Sequence, residues 1–283
     1  MNKKVIALLY WGNKIGGISS SMPSLIKKLI KDRSLEVHVL LKRKKNSPVI
    51  VADNLTYYYF SQNLYRGKRI QFFFWLCKNL FIIKPDYVVT FLNRFGLVGV
   101  LYKFLSGFFQ KRPRVIIYQP IVTSVYLKQY ESLYWNILSK IIFRHADGII
   151  TNSKAITADL HNHFFVALPK LHCILNWIPE MKTDGNKKKQ YDCIFVGRLS
   201  PEKGIETLLD TAEYCANKSK RFSLAIVGDG ALKERMLESV NTRGLTPFVH
   251  YLGYQQKPYR FIQQSRLLLL PSFNEGLPMV ILE

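Results

Sequence analysis

Cysteine is scarce in this chain: of 283 residues only Cys77, Cys173, Cys193 and Cys215, with no C-x-x-C spacing and no metal-ligand clustering with histidine. That excludes a disulfide framework and a cysteine-ligated metal site, and leaves ordinary core thiols in a reducing compartment. Long apolar runs are missing too. No stretch reaches the ~18 apolar residues of a spanning helix; Phe72 to Ile83 comes nearest, and Lys78 and Asn79 interrupt it. The apolar start, Val5 to Tyr10, is too short for a signal peptide and lacks a small-residue cleavage site, so it reads as a first buried strand. Acidic residues are few, 19 against 41 Lys and Arg. No helix-turn-helix, zinc-finger or RNP-like pattern accompanies the excess charge, which argues against a nucleic-acid-binding protein. Low-complexity repeats and D-x-D metal motifs are likewise absent from the sequence.

Apolar material is plentiful, with 48% hydrophobic residues and 13% aromatics, and the length predicts two domains. The net charge of +22 is unevenly placed. Residues 1–183 hold 27 Lys and Arg against 8 Asp and Glu, whereas residues 184–283 hold 14 against 11. Such asymmetry suits a polyanionic partner: nucleic acid, an anionic membrane surface or a phosphorylated substrate. A generally lysine-rich proteome would produce the same excess.

Short β-rich runs alternate with helical periodicity. Val5–Tyr10, Glu36–Leu41, Thr56–Phe60, Tyr87–Phe91, Val115–Gln119 and Gly148–Thr151 are predicted strands. Helices are predicted over Pro23–Lys31, Ile70–Ile83, Leu97–Gly107, Ser132–Phe143 and Lys154–His161. Buried β runs separated by helices imply βαβ units and a mostly parallel sheet. The polar stretch from Glu180 to Gln190 reads as an interdomain linker. A second alternation follows, with strands at Cys193–Val196, Leu224–Val227, Val249–Leu252 and Leu267–Leu270. Ile205, Leu208, Leu209, Ala212 and Cys215 make one helix face, Leu232, Met236, Leu237 and Val240 another, and a short helix lies near Tyr259–Gln264. The fold class is α/β, with two Rossmann-like domains over residues 1–183 and 184–283.

Open parallel sheets bind ligands beyond the carboxyl ends of their strands, so residues just past each strand are the informative ones. Gly12 to Ser19 contains the Gly16-Gly17 turn before the first helix. It has neither the Lys-Ser/Thr of a P-loop nor a G-x-G-x-x-G fingerprint, and a plain tight turn explains it equally well. In Val196-Gly-Arg-Leu-Ser-Pro-Glu-Lys-Gly204, Arg198 and Lys203 bracket a turn and can aim two cations at one phosphate; alone, the pair also reads as a solvated basic turn. In Pro271-Ser-Phe-Asn-Glu-Gly-Leu-Pro278, Glu275 follows an apolar strand. Pro278 suits a first helical turn, and backbone N–H groups near Gly276 and Leu277 suit a phosphate. Glu283, taken alone, reads as a solvated helix glutamate.

Taken in order, these motifs resemble the "glycosyl transferases group 1" family of retaining, two-Rossmann (GT-B) enzymes. The resemblance covers about Tyr191 to Glu283: Gly197-Arg198, Pro201-Glu202-Lys203-Gly204, Ile226-Val227-Gly228-Asp229-Gly230, Tyr251-Leu252-Gly253, and the E-x7-E pair Glu275 and Glu283. It is looser in the first half, at Gly16-Gly17, at Ala146 to Ser153 and at Leu175-Asn176-Trp177-Ile178-Pro179.

The resemblance implies a glycosyltransferase using a nucleotide-diphosphate sugar and no metal, acting on a glycan or lipid-linked acceptor in cell-surface polysaccharide or lipopolysaccharide synthesis. It implies a cytoplasmic enzyme peripheral to the inner face of the membrane, held there by the basic first domain. Arg198 and Lys203 would bind the donor diphosphate and Glu275 the transferred sugar. Glu283 would hold the ribose, Gly276 and Leu277 would offer backbone N–H groups, and Gly16 and Gly17 would close the site. Preorganised cations suit the negative charge that develops on a departing diphosphate. Two departures stand out. Gln119 occupies the strand end where many relatives carry a histidine, and glutamine cannot act as a base. The sequence also stops at Glu283, where relatives continue. The expectation is therefore an incomplete second domain, loosely packed or poorly soluble, with negligible transfer by the 283-residue form; the alternative reading is a non-catalytic remnant that binds nucleotide-sugar or membrane.

Overall fold

The computed structural model describes residues 3–10, 17–42, 50–60, 69–109, 111–130, 133–176, 188–219 and 221–282. The chain divides into two compact units, residues 1–176 and 177–283. The linker read at 180–190 lies outside the described residues up to residue 187.

In the first unit, β1 (Lys4–Tyr10), α1 (Gly17–Leu29), β2 (Leu35–Lys42), β3 (Leu55–Phe60), α2 (Arg69–Ile83), β4 (Tyr87–Phe91) and α3 (Asn93–Ser106) come first. They are followed by β5 (Arg114–Gln119), α4 (Thr123–Tyr130), α5 (Leu133–His145), β6 (Gly148–Thr151), α6 (Lys154–Phe164) and β7 (Leu171–Cys173). The strands form a parallel sheet in the order β3-β2-β1-β4-β5-β6-β7, and the direction of winding reverses between β1 and β4. β1 buries Ala7, Leu8 and Leu9 completely, as a central parallel strand covered on both faces must. One face packs under α2, α3, α5 and α6 through Leu76, Leu80, Ile142, Phe143 and Ile156. The other is covered by α1 through Met22 and Ile26.

Asp86 ties the amino ends of three strands together. Its carboxylate accepts from Val5 N at 3.0 Å and from Lys111 Nζ at 3.0 Å, and its carbonyl accepts from Arg114 N at 2.9 Å. The Val5 amide, then the Lys111 ammonium, hold this carboxyl below its ordinary value. A depressed folded-state pKa contributes stability above the unfolded value and loses it as pH falls through the folded one. Asp86→Asn is therefore expected to cost about 1 kcal/mol near neutral pH. The gap in thermal midpoint from wild type should close as pH falls below about 4; a gap constant with pH would assign the loss to packing instead.

The second unit contains β8 (Tyr191–Val196), α7 (Ile205–Lys218), β9 (Leu224–Val227), α8 (Lys233–Thr242), β10 (Val249–Gly253), α9 (Tyr259–Gln263), β11 (Ser265–Leu268) and α10 (Met279–Leu282). Its parallel sheet runs β10-β9-β8-β11, so winding reverses between β8 and β11. The predicted stripe on α7 is the buried one, with Ile205, Leu208, Leu209 and Ala212 in the core, while Cys215 is half-buried.

Several expectations need correction. The last strand is Ser265–Leu268 rather than Leu267–Leu270; its Leu267 is exposed. Among the described residues it pairs only with β8, and its start is set by Ser265, which is buried and donates to Phe261 O, so the apolar run overshot it. The first helix begins at Gly17, six residues before Pro23, which lies inside it. Helix α4 and strand β7 carry no apolar run long enough to be read. Cys173 is not a core thiol but an exposed one, because β7 pairs only with β6 among the described residues.

Candidate functional site

At the carboxyl ends of β8, β9 and β11, three loops are stitched together through their backbones. Gly197 N donates to Val227 O and Leu199 N to Asp229 O, both at 3.0 Å, and Leu232 N returns to Leu199 O at 3.0 Å. The loop after β11 joins when Phe273 N donates to Glu202 O at 3.0 Å. Two glycines permit this closeness. Gly228 has φ 147°, and a Cβ there would sit 1.8 Å from Gly197 O. Gly204 has φ 66°, and a Cβ there would sit 2.1 Å from Pro271 O. Both backbone conformations favour glycine, and both approaches exclude any larger residue.

This stitching brings Lys203 to Glu275. Pro201–Lys203 forms a single tight turn ahead of α7, and Lys203 Nζ makes a charge-assisted hydrogen bond with Glu275 Oε1 although 72 residues separate them. Arg198 stands 3.7 Å from Glu202 Oε1, and Ser200 Oγ donates to that same oxygen at 2.7 Å. The side chains of Arg198, Lys203 and Glu275 are each between a fifth and about a third exposed, so the cluster is reachable from solvent. Gly276 and Leu277 follow Glu275 in bends leading to α10. Of the other predicted residues, Gly17 is the first residue of α1, while Gly16 and Glu283 lie outside the described residues.

A second group lies at the carboxyl ends of β1, β4, β5 and β6 in the first unit, and of it the sequence singles out Gln119 but none of the aromatics. Tyr10, Phe91 and Tyr118 form a chain of ring contacts at 5.9 and 5.4 Å. Tyr118 Oη donates to Asn176 Oδ1 at 2.9 Å, and burial pushes its phenol up to about 12, against a hydrogen bond from Asn152. Leu92 follows with φ 71°, a conformation that costs a non-glycine residue on the order of 1–3 kcal/mol. Gln119 is fully buried and donates to Thr123 Oγ1 at 2.8 Å. Among the described residues, Gln119 Oε1 and Asn152 Oδ1 are buried without a hydrogen-bond partner. The available signal was position: each aromatic ends, or stands one residue from the end of, a predicted strand.

Polar and aromatic groups therefore gather at the carboxyl ends of both parallel sheets, where α/β folds bind ligands. Residues 15–180 match the family Glycosyltransferase Family 4, which is more than half of the chain. The chain belongs to that glycosyltransferase family. Residues 178–283 match Glycosyl transferases group 1, so the two matches together run from residue 15 to residue 283.

Among curated relatives, this glycosyltransferase-family chain is 29% identical over 216 residues to a Campylobacter jejuni enzyme. That relative is the N-acetylgalactosamine-N,N'-diacetylbacillosaminyl-diphospho-undecaprenol 4-alpha-N-acetylgalactosaminyltransferase; the match covers 74% of this chain and 56% of the relative. It is 32% identical over 151 residues to the O-antigen biosynthesis glycosyltransferase WbnH of Escherichia coli, covering 52% of this chain and 41% of the relative. The chain thus spans about half the length of the curated relatives it matches. Among solved structures, the lipopolysaccharide outer core galactosyltransferase WaaB is similar with a TM-score of 0.65 at 19% identity, covering 99% of this chain and 77% of WaaB. HepE of Anabaena, in complex with UDP and glucose, has a TM-score of 0.70 at 15% identity, covering 96% and 74%. The shared fold is that of α/β, Rossmann-like glycosyltransferases.

Proposed function

We propose that this chain belongs to a retaining glycosyltransferase that moves a sugar from a nucleotide-diphosphate sugar to a glycan or lipid-linked acceptor in surface polysaccharide or lipopolysaccharide synthesis. The observation that carries the reading is the Lys203–Glu275 contact, held by loops that glycine alone allows to approach. A cation and a carboxylate fixed side by side suit the two ends of one donor: Lys203, with Arg198, faces the diphosphate, and Glu275 accepts from sugar hydroxyls. Glu283, Gly276 and Leu277 keep their roles at the ribose and the phosphate, and Gly16 and Gly17 theirs at the donor.

In the step itself, the bond from the sugar's anomeric carbon to the diphosphate breaks. The acceptor oxygen bonds to that carbon on the same face, and its proton passes to a departing phosphate oxygen. The cations stabilise the charge that builds on the leaving group, in a place prepared before the reaction starts. A diphospho-undecaprenol-linked relative and an O-antigen relative support the acceptor class, and a neighbour holding UDP supports the donor class. The positive excess of residues 1–183 supports an anionic membrane surface as the place of work, with about 1 kcal/mol for each Lys or Arg near it.

The test is incubation of the whole protein with a panel of radiolabelled UDP-sugars and lipid-linked acceptors. The expected result is label in the lipid fraction, stoichiometric release of UDP, and a product anomer matching that of the donor. An inverted anomer would overturn retention, and the absence of transfer from any nucleotide-sugar would overturn the activity.

A further inference from the structure

We propose that the outward face of α5, with the adjoining part of α3 and the loop after α6, docks on an anionic bilayer by inserting apolar side chains among the headgroups. The proposal rests on the membrane reading above for the sign of the lipid, and adds a residue-level surface and an apolar mode of binding. Helix α5 is apolar on both faces. Its inner side buries Ser139, Ile142 and Phe143 and packs Trp135 and Leu138 on the core. Its outer side leaves Leu133 77%, Tyr134 66%, Ile137 55% and Ile141 48% exposed, a row at helical spacing. A surface helix ordinarily turns polar residues outward, so a contiguous exposed apolar row marks an interaction site.

The charges around this row select the partner. Helices α3 and α5 contain four Lys or Arg and no Asp or Glu, and of these four Lys103 is paired with Asp147 at 2.7 Å. Lys140 and Arg144 share the exposed side of α5, and the Lys140 ammonium lies 5.5 Å over the ring of the exposed Phe165. Helix α3 runs alongside in the same direction: Arg94 sits 5.1 Å from the Trp135 ring at one end, and Phe104 meets His145 at 5.0 Å at the other. Phe104 is itself partly exposed, which continues the apolar surface onto α3. Apolar side chains flanked by cations match the boundary between headgroups and acyl chains in an anionic leaflet. A twofold pairing of two copies through this face would bring the cations of one onto those of the other, which disfavours self-association. No described helix is long and apolar enough to cross a membrane, so docking is at the surface.

The experiment is vesicle flotation of the chain with phosphatidylglycerol-containing and pure phosphatidylcholine vesicles, at low and high salt. Wild type is expected to float with the anionic vesicles and to keep part of that binding at high salt. The double variant Ile137→Asp with Ile141→Asp should lower partitioning about tenfold or more while its thermal midpoint stays near wild type, since both side chains are exposed. Lys140→Gln with Arg144→Gln should weaken only the preference for anionic vesicles. Wild-type binding that salt abolishes, an aspartate variant that floats as wild type does, or a wild-type dimer dissociated by those aspartates would each overturn the proposal. A rise in thermal midpoint with UDP, measured on the same samples, reports the donor site independently. Failure of one reading is thus distinguishable from failure of the other.

Discussion

Gly228→Ala is expected to destabilise the second unit by about 3 kcal/mol or more, combining backbone strain with overpacking. The reason is geometric. At φ 147° an added methyl would stand 1.8 Å from the carbonyl oxygen of Gly197, a backbone atom that no rotamer change can move. Relief requires separating the loop after β9 from the loop after β8. That separation breaks the bonds Leu199 N to Asp229 O and Gly197 N to Val227 O. For a unit of about a hundred residues, the loss corresponds to a fall in thermal midpoint on the order of 10 °C or more. Calorimetry would resolve it as a lowered transition of one unit. A midpoint within a degree or two of wild type would mean that the loops separate at little cost, and that the close approach does not preorganise the site.

The second large effect concerns rate. In the whole protein, Lys203→Ala is expected to lower kcat/KM for the donor about 10- to 150-fold, the equivalent of a charged hydrogen bond of about 1.5–3 kcal/mol. Arg198→Ala should cost a comparable amount. The two differ in their side effects. Lys203→Ala also strands Glu275, whose partner it is, so that carboxylate loses its orientation as well. Arg198 stands beside Glu202, which keeps a second partner in Ser200. Glu275→Gln should accordingly repair little of the Lys203→Ala loss, because the missing cation is what opposes the charge on the diphosphate. Steady-state kinetics with varied donor would decide; wild-type donor parameters in either alanine variant would remove the diphosphate assignment.

Much of this architecture was legible in the residues because parallel strands buried on both faces are continuous apolar runs. Tyr87–Phe91, Gly148–Thr151 and Leu224–Val227 were read with the bounds the structure shows. Legibility failed where the apolar run and the hydrogen bonding part company. Leu269 and Leu270 extend the run past β11, while the strand begins at Ser265, whose burial no hydropathy pattern announces. Helix α4 was missed because its amino end depends on a distant residue: the Asp159 carboxylate accepts from Thr123 N at 2.8 Å and Ser124 N at 3.1 Å. The cationic turn and Glu275 could be named in advance, because both follow apolar strands. Their direct contact could not, since it depends on β8 and β11 being neighbours, a pairing of strands far apart in the chain. The strained Leu92 and the Tyr10–Phe91–Tyr118 chain were equally hidden, as nothing in a leucine signals a positive φ.

The central claim is that the second unit grips a nucleotide through its diphosphate, and calorimetric titration of the chain with UDP, with uridine as the comparison, tests it most directly. The account predicts measurable UDP binding, at least tenfold weaker binding of uridine, and loss of that difference in Lys203→Ala, because the discrimination comes from charge-assisted contacts to phosphate. Equal affinity for UDP and uridine in the wild-type chain, or a preference for UDP that survives in Lys203→Ala, would contradict it.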